Sequence, residues 1–284
     1  GARRMSALSQ SIIRASHGVY RALHAGAPSA PSLLFLHGFL GSADDFADVF
    51  TALSPNWRCV AVDLPGHGKT VMSSSEWTGD EALDDLAQIC AELGITAGVV
   101  GYSLGGRTAL SLTLRHPAAV PRLLLESASP GLQTETERAQ RRQADAALAQ
   151  LALRSGMETF VAAWEDLPLF ASQKSLPQSA RLRQRAIRLA QQPSGIAQSL
   201  DRMGTGAQPD HWPDLERITQ PVHLLVGELD EKFVGIGRSM VQRLPSATLT
   251  VAQGAGHNVH LECPERYVRF VADAVAGEFS SSGK

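Results

Sequence analysis

The chain has 284 residues, 44% of them hydrophobic, and a formal net charge of −2. That length suffices for one large buried core, and the near-neutral balance argues against a nucleic-acid-binding or membrane-surface protein. No apolar run approaches the roughly 20 residues of a membrane span, and no secretory h-region follows Arg3 and Arg4.

In chain order, residues 32–37, 58–63, 98–102, 122–126, 221–226 and 247–251 read as buried strands. They are near-continuously apolar, as a parallel sheet covered on both faces requires. Helical patterns fall at about 80–93, 104–116, 236–244 and 264–279, leaving a short tail at 280–284. Alternating strands and helices imply an α/β fold with a mostly parallel central sheet flanked by helices. The series breaks between about 131 and 210, a stretch rich in Ala, Gln and Arg without strand-like runs. Thr134 and Glu137 are spaced as a capping box opening a helix that runs to about Arg154. The expected organisation is a core of residues 1–130 and 211–284 with an all-helical lid, 131–210, inserted over the strand ends where such sheets bind ligands.

Gly101-Tyr102-Ser103-Leu104-Gly105 joins a predicted strand to a predicted helix. A G-x-S-x-G in that setting is the nucleophile elbow of α/β-hydrolases, a turn so tight that the residues flanking the serine must be small. A serine hydroxyl needs a base, and the base an orienting acid, in the chain order Ser, acid, His. Asp230 and His257 each follow an apolar strand run on the same sheet edge as Ser103. Their rivals are Glu228 and Asp63 for the acid and His260 for the base; small residues before His257 favour it. Phe39, in His37-Gly38-Phe39, and Leu104 are expected to supply the oxyanion-hole amides. Cys59, Cys90 and Cys263 are scattered singly among apolar residues, which suits reduced thiols and offers no metal-ligand spacing.

Further motifs narrow the reading. His37-Gly38-Phe39-Leu40-Gly41-Ser42, Asp63-Leu64-Pro65-Gly66-His67-Gly68 and the elbow occur across many α/β-hydrolases. Ser127-Ala128-Ser129-Pro130-Gly131-Leu132, Met203-Gly204-Thr205-Gly206-Ala207-Gln208-Pro209, Gly227-Glu228-Leu229-Asp230-Glu231-Lys232-Phe233 and Gly254-Ala255-Gly256-His257-Asn258-Val259-His260 are more particular. With them the chain resembles, over nearly its whole length, the 2-succinyl-6-hydroxy-2,4-cyclohexadiene-1-carboxylate (SHCHC) synthases, pyruvate-eliminating enzymes of menaquinone and phylloquinone biosynthesis.

The resemblance implies a small tricarboxylate substrate and a lyase in which Ser103, helped by His257 and Asp230, acts as base. It implies no cofactor and no metal. Buried anions call for guanidinium partners, and Arg107, Arg138, Arg142, Arg188 and Lys232 are the candidates. Arg107 is one helical turn beyond Ser103, and Arg138 and Arg142 form an i, i+4 pair. Arg185 competes with Arg188. The resemblance adds Tyr102, Gln133 and Trp164 to the pocket. The alternatives are a serine hydrolase of ester or carbon–carbon bonds using the same triad, and a noncatalytic receptor on the same fold. A cytoplasmic location is expected, with a plastid as the alternative.

Overall fold

The computed structural model describes residues 7–277. Six parallel strands form the centre: β3 (Ser32–Leu36), β4 (Arg58–Val62), β6 (Gly98–Tyr102), β7 (Leu123–Glu126), β8 (Val222–Gly227) and β9 (Ala247–Ala252). An antiparallel hairpin, β1 (Ser9–Arg14) and β2 (Gly18–Ala25), extends the sheet beside β4, and the short β5 (Val71–Met72) pairs with β2. The order is β1-β2-β4-β3-β6-β7-β8-β9. The hairpin has no signature among the apolar runs, because β1 is an exposed edge and Arg21 and His24 interrupt β2.

Alternation along the strands builds two apolar layers. Leu34, Leu36, Val60 and Val62 pack toward α2 (Gly79–Leu93), α3 (Leu104–Arg115) and α7 (Glu231–Arg243). Leu33, Phe35, Cys59 and Ala61 pack toward α1 (Ala47–Leu53) and, through Tyr267 and Phe270, α9 (Pro264–Ala276). The short α8 (Val259–Glu262) precedes α9. β9 is an edge strand and mostly half-buried, a correction to its reading as fully buried. The expected last turn to 279 and the tail at 280–284 lie outside the described residues.

Between β7 and β8 the chain runs through α4 (Glu135–Glu165), a 3-10 segment (Pro168–Ser175), α5 (Gln178–Leu189) and α6 (Pro193–Met203). Thr134 Oγ1 accepts from the Glu137 amide while Glu137 Oε2 accepts from the Thr134 amide, closing the capping box. α4 breaks at Gly156, whose φ of 78° and ψ of 175° suit only glycine. These helices have their own apolar cluster, including Ala152, Phe160, Ile196 and Leu200, which closes over Leu40.

Candidate active site

β6 passes into α3 through Ser103, which sits at φ 49°, ψ −109°. The neighbouring glycines are obligatory. A Cβ on Gly101 would lie 2.3 Å from the Gly105 carbonyl oxygen, and one on Gly105 would lie 2.1 Å from that of Leu36. The strain is held by packing and by the Ser103 amide, which donates to the Glu126 carbonyl at 2.9 Å.

His257 and Asp230 approach from the ends of β9 and β8. His257 Nδ1 is 2.7 Å from Asp230 Oδ2, and its Nε2 is 3.2 Å from Ser103 Oγ. With Nδ1–H donating to the carboxylate, Nε2 is left to accept the serine proton. Asp230 stands at the N-cap of α7, where an aspartate usually accepts from the first-turn amides, yet it makes no such bond. Its carboxylate is turned to His257 instead. α7 begins at Glu231, five residues ahead of Ile236, where the apolar pattern places its start.

The rival residues are committed elsewhere. His260 Nδ1 lies 2.8 Å from Glu126 Oε2, both side chains buried. Burial opposes the charged ring, but the Glu126 carboxylate outweighs it and raises the His260 pKa above the ordinary value. Asp63 accepts from the Ala43 and Lys69 amides, and Glu228 from the Gly254 amide. Two neutral imidazoles shape the loop around Phe39: His37 Nε2 accepts from the Leu64 amide, and His67 Nε2 from the Leu40 amide. Burial lowers their pKa values to about 4 and about 3 respectively, so both stay uncharged acceptors.

Ser103 and His257 open onto a cavity of ≈ 320 Å³ that Phe39, Leu104, Arg107, Gln133, Trp164 and Lys232 also line. Among the described residues no protein acceptor takes the Phe39 or Leu104 amide hydrogen. Trp164 packs edge-on against Phe39 at 4.9 Å, so it belongs both to the cavity wall and to the apolar cluster of the inserted helices. Tyr102 and Arg188 border an adjoining space of ≈ 30 Å³ that shares Ser103, Phe39 and Trp164 with the first. Arg188 is buried and bound to Glu165, as is the more exposed Arg185. A larger cavity of ≈ 420 Å³ beyond Arg188 does not include Ser103.

Arg138 and Arg142 do not line the Ser103 cavity. Both pair with Glu135 and donate to backbone carbonyls of Leu132 and Gly206. The α4 stripe that does line it is Glu137, Arg141 and Asp145. Both stripes have i, i+4 spacing, so spacing alone could not say which one faces inward. Arg141 and Asp145 were thus missed, because no sequence signal separates the two stripes. Arg107 is half-buried and donates to the Met203 carbonyl at 2.9 Å. Burial first, then the charge of Arg141, lower its pKa to about 10, which leaves it protonated near neutrality. Among the described residues, no group of three or more His, Cys, Asp or Glu side chains is gathered as a metal site, and no helix is long and apolar enough to cross a membrane.

Residues 31–264 match the family model described as alpha/beta hydrolase fold. A Bacillus subtilis protein provisionally named 2-succinyl-6-hydroxy-2,4-cyclohexadiene-1-carboxylate synthase is 39% identical over 265 residues, covering 92% of this chain and 96% of its own. An Enterobacter protein carrying that synthase name is 32% identical, over 84% of this chain and 90% of its own. The solved structure of MenH from S. aureus superposes with a TM-score of 0.87 at 34% identity, covering 93% of this chain and 100% of that one. The chain belongs to the α/β-hydrolase fold family and, within it, to the 2-succinyl-6-hydroxy-2,4-cyclohexadiene-1-carboxylate synthases.

Proposed function

We propose that this protein is a carbon–oxygen lyase that eliminates pyruvate from 2-succinyl-5-enolpyruvyl-6-hydroxy-3-cyclohexene-1-carboxylate, giving SHCHC for menaquinone or phylloquinone biosynthesis. The observation that carries the reading is a Ser–His–Asp contact opening onto a cavity lined by Arg107, Arg141 and Lys232, in a chain whose relatives bear the synthase name. An apolar ester would gain nothing from guanidinium groups on the cavity wall; a tricarboxylate needs them.

In this reading His257 Nε2 takes the Ser103 proton, and the alkoxide removes the ring proton beside the succinyl ketone. The C–H electron pair forms the first new double bond, the existing one shifts, and the ring carbon–oxygen bond breaks. The departing enolate takes up a proton and becomes pyruvate. Negative charge developing on the ketone oxygen is met by the Phe39 and Leu104 amides. Asp230 holds His257 in the useful tautomer and stabilises its charged form. Arg107, Arg141 and Lys232 receive carboxylates, with Tyr102, Gln133, Trp164 and Arg188 completing the walls; Arg141 takes the place expected of Arg138 and Arg142.

Residues 131–210 act as the lid. The unpaired cysteines suit a reducing compartment, the cytoplasm for a bacterial protein or otherwise a plastid.

The test is pyruvate release from freshly generated substrate, corrected for spontaneous decay, in wild type and Ser103→Ala. The expected result is fast release with the conjugated diene appearing in step, and a loss of several decades in Ser103→Ala. Release no faster than the blank from folded protein would turn the reading to a serine hydrolase, to be pursued with esters and diketones.

A further inference from the structure

A buried carboxylate on the wall of a cavity for a polyanion demands a reason. Asp145 is in that position, its side chain 3% exposed. Its Oδ1 accepts from Arg141 Nε at 2.9 Å, whereas its Oδ2 is buried without a donor. That oxygen lies so close to Gly204 that a Cβ there would be 2.6 Å away. An unpaired buried carboxylate oxygen is costly unless neighbouring positive charge offsets it. Two guanidiniums supply that charge: Arg141, which it touches, and Arg107, whose charged form its field favours.

Arg107, Arg141 and Asp145 therefore bring two positive charges and one negative to this corner, while Glu137, one turn from Arg141 on the same wall, turns its carboxylate to Thr134. The grip on Arg141 is through Nε alone, so among the described residues the two terminal amino groups of Arg141 have no protein partner. They form a planar fork suited to a carboxylate.

We propose that Asp145 is a specificity-determining residue: it reduces the Arg107–Arg141 corner to a single positive charge, matched to one carboxylate rather than to a dianion, and it holds Arg141 by Nε so that the terminal amino groups meet that carboxylate. The proposal rests on the tricarboxylate reading of this cavity and sharpens it. Three carboxylates spread over one substrate need separated single charges, whereas a doubly positive corner would collect sulfate or phosphate.

The experiment uses inorganic sulfate as the probe and needs no turnover, so it stands apart from whether pyruvate is released. Asp145→Asn keeps an acceptor for Arg141 Nε but removes the charge. Sulfate dissociation constants would be measured by titrating thermal stability in wild type, D145N, R141A and the double variant. The expected result is sulfate binding at least about tenfold tighter in D145N than in wild type, with the gain lost in D145N/R141A. Equal affinity in wild type and D145N, or a gain that survives removal of Arg141, overturns the proposal. Should D145N not fold, D145S carries the same charge change and is judged by the same two outcomes.

Discussion

His37 and His67 are buried as neutral acceptors, and this ties the Phe39 loop to acid stability. The unfolded chain titrates a histidine near pH 6.5, while these two rings resist protonation until about pH 4 and about pH 3. Below pH 6.5 the unfolded state binds protons that the folded state refuses, so stability falls with pH down to those values. His260 has the opposite sign: its raised pKa gives stability that is present below pH 6.5 and is lost as pH rises through the folded value. The expected outcome is a steep fall of Tm in wild type between pH 7 and pH 4, and a shallower one in His37→Asn, whose side chain cannot titrate. Thermal unfolding across that range checks it; parallel profiles would remove His37 from the acid response. At this scale some residues were legible in the sequence and others were not. Ser103, Asp230 and His257 each follow an apolar strand run, where a chain position maps onto a known edge of the sheet. The α4 arginines follow no such run, and Arg138 and Arg141 differ only in their rotation around one helix axis, which turns by about 100° per residue.

Helix α4 is two helices joined by a glycine that no other residue replaces cheaply. A Cβ at Gly156 would meet nothing within 4 Å, so the cost of Gly156→Ala is conformational rather than steric. Holding alanine at that φ and ψ costs about 1–3 kcal/mol, which for a chain of this size lowers Tm by several degrees. The expected result is that drop together with a raised KM, because the segment beyond Gly156 carries Trp164 to the cavity wall. An unchanged Tm and KM would show that the break relaxes without consequence. The helix start at Thr134 was legible from its capping box, and the stop near residue 154 from the loss of pattern ahead of Gly156. The β1–β2 hairpin was not legible, since an edge hairpin with one buried face and an interrupting Arg21 leaves no continuous apolar run. The early start of α7 was hidden for a different reason: its first turn is charged, and its capping aspartate serves His257.

The whole molecule separates two tasks. Ser103, Asp230 and His257 all stand on the sheet, whereas Arg141 and Trp164 come from the helices inserted between β7 and β8. The insertion leaves and returns at one place: the His211 amide donates to the Pro130 carbonyl at 2.8 Å, and Trp212 Nε1 donates to the Gly131 carbonyl at 3.0 Å. β7 and β8 are hydrogen-bonded neighbours whether or not the helices lie between them in sequence. Replacing residues 132–209 by a short Gly-Ser linker is therefore expected to leave a folded sheet, at the cost of exposing Leu40 and the Phe39 face that the helices cover. The shortened protein should still react with a fluorophosphonate probe at Ser103, because the base, the orienting acid and both amides remain. It should no longer release pyruvate, because the guanidinium of Arg141 and the cavity wall that Trp164 supplies are gone. Circular dichroism, probe labelling and the pyruvate assay on the same sample read the three parts separately. A folded protein that fails to label would mean that the helices hold the triad in register, and an unfolded one would make 131–210 part of the core rather than a lid upon it.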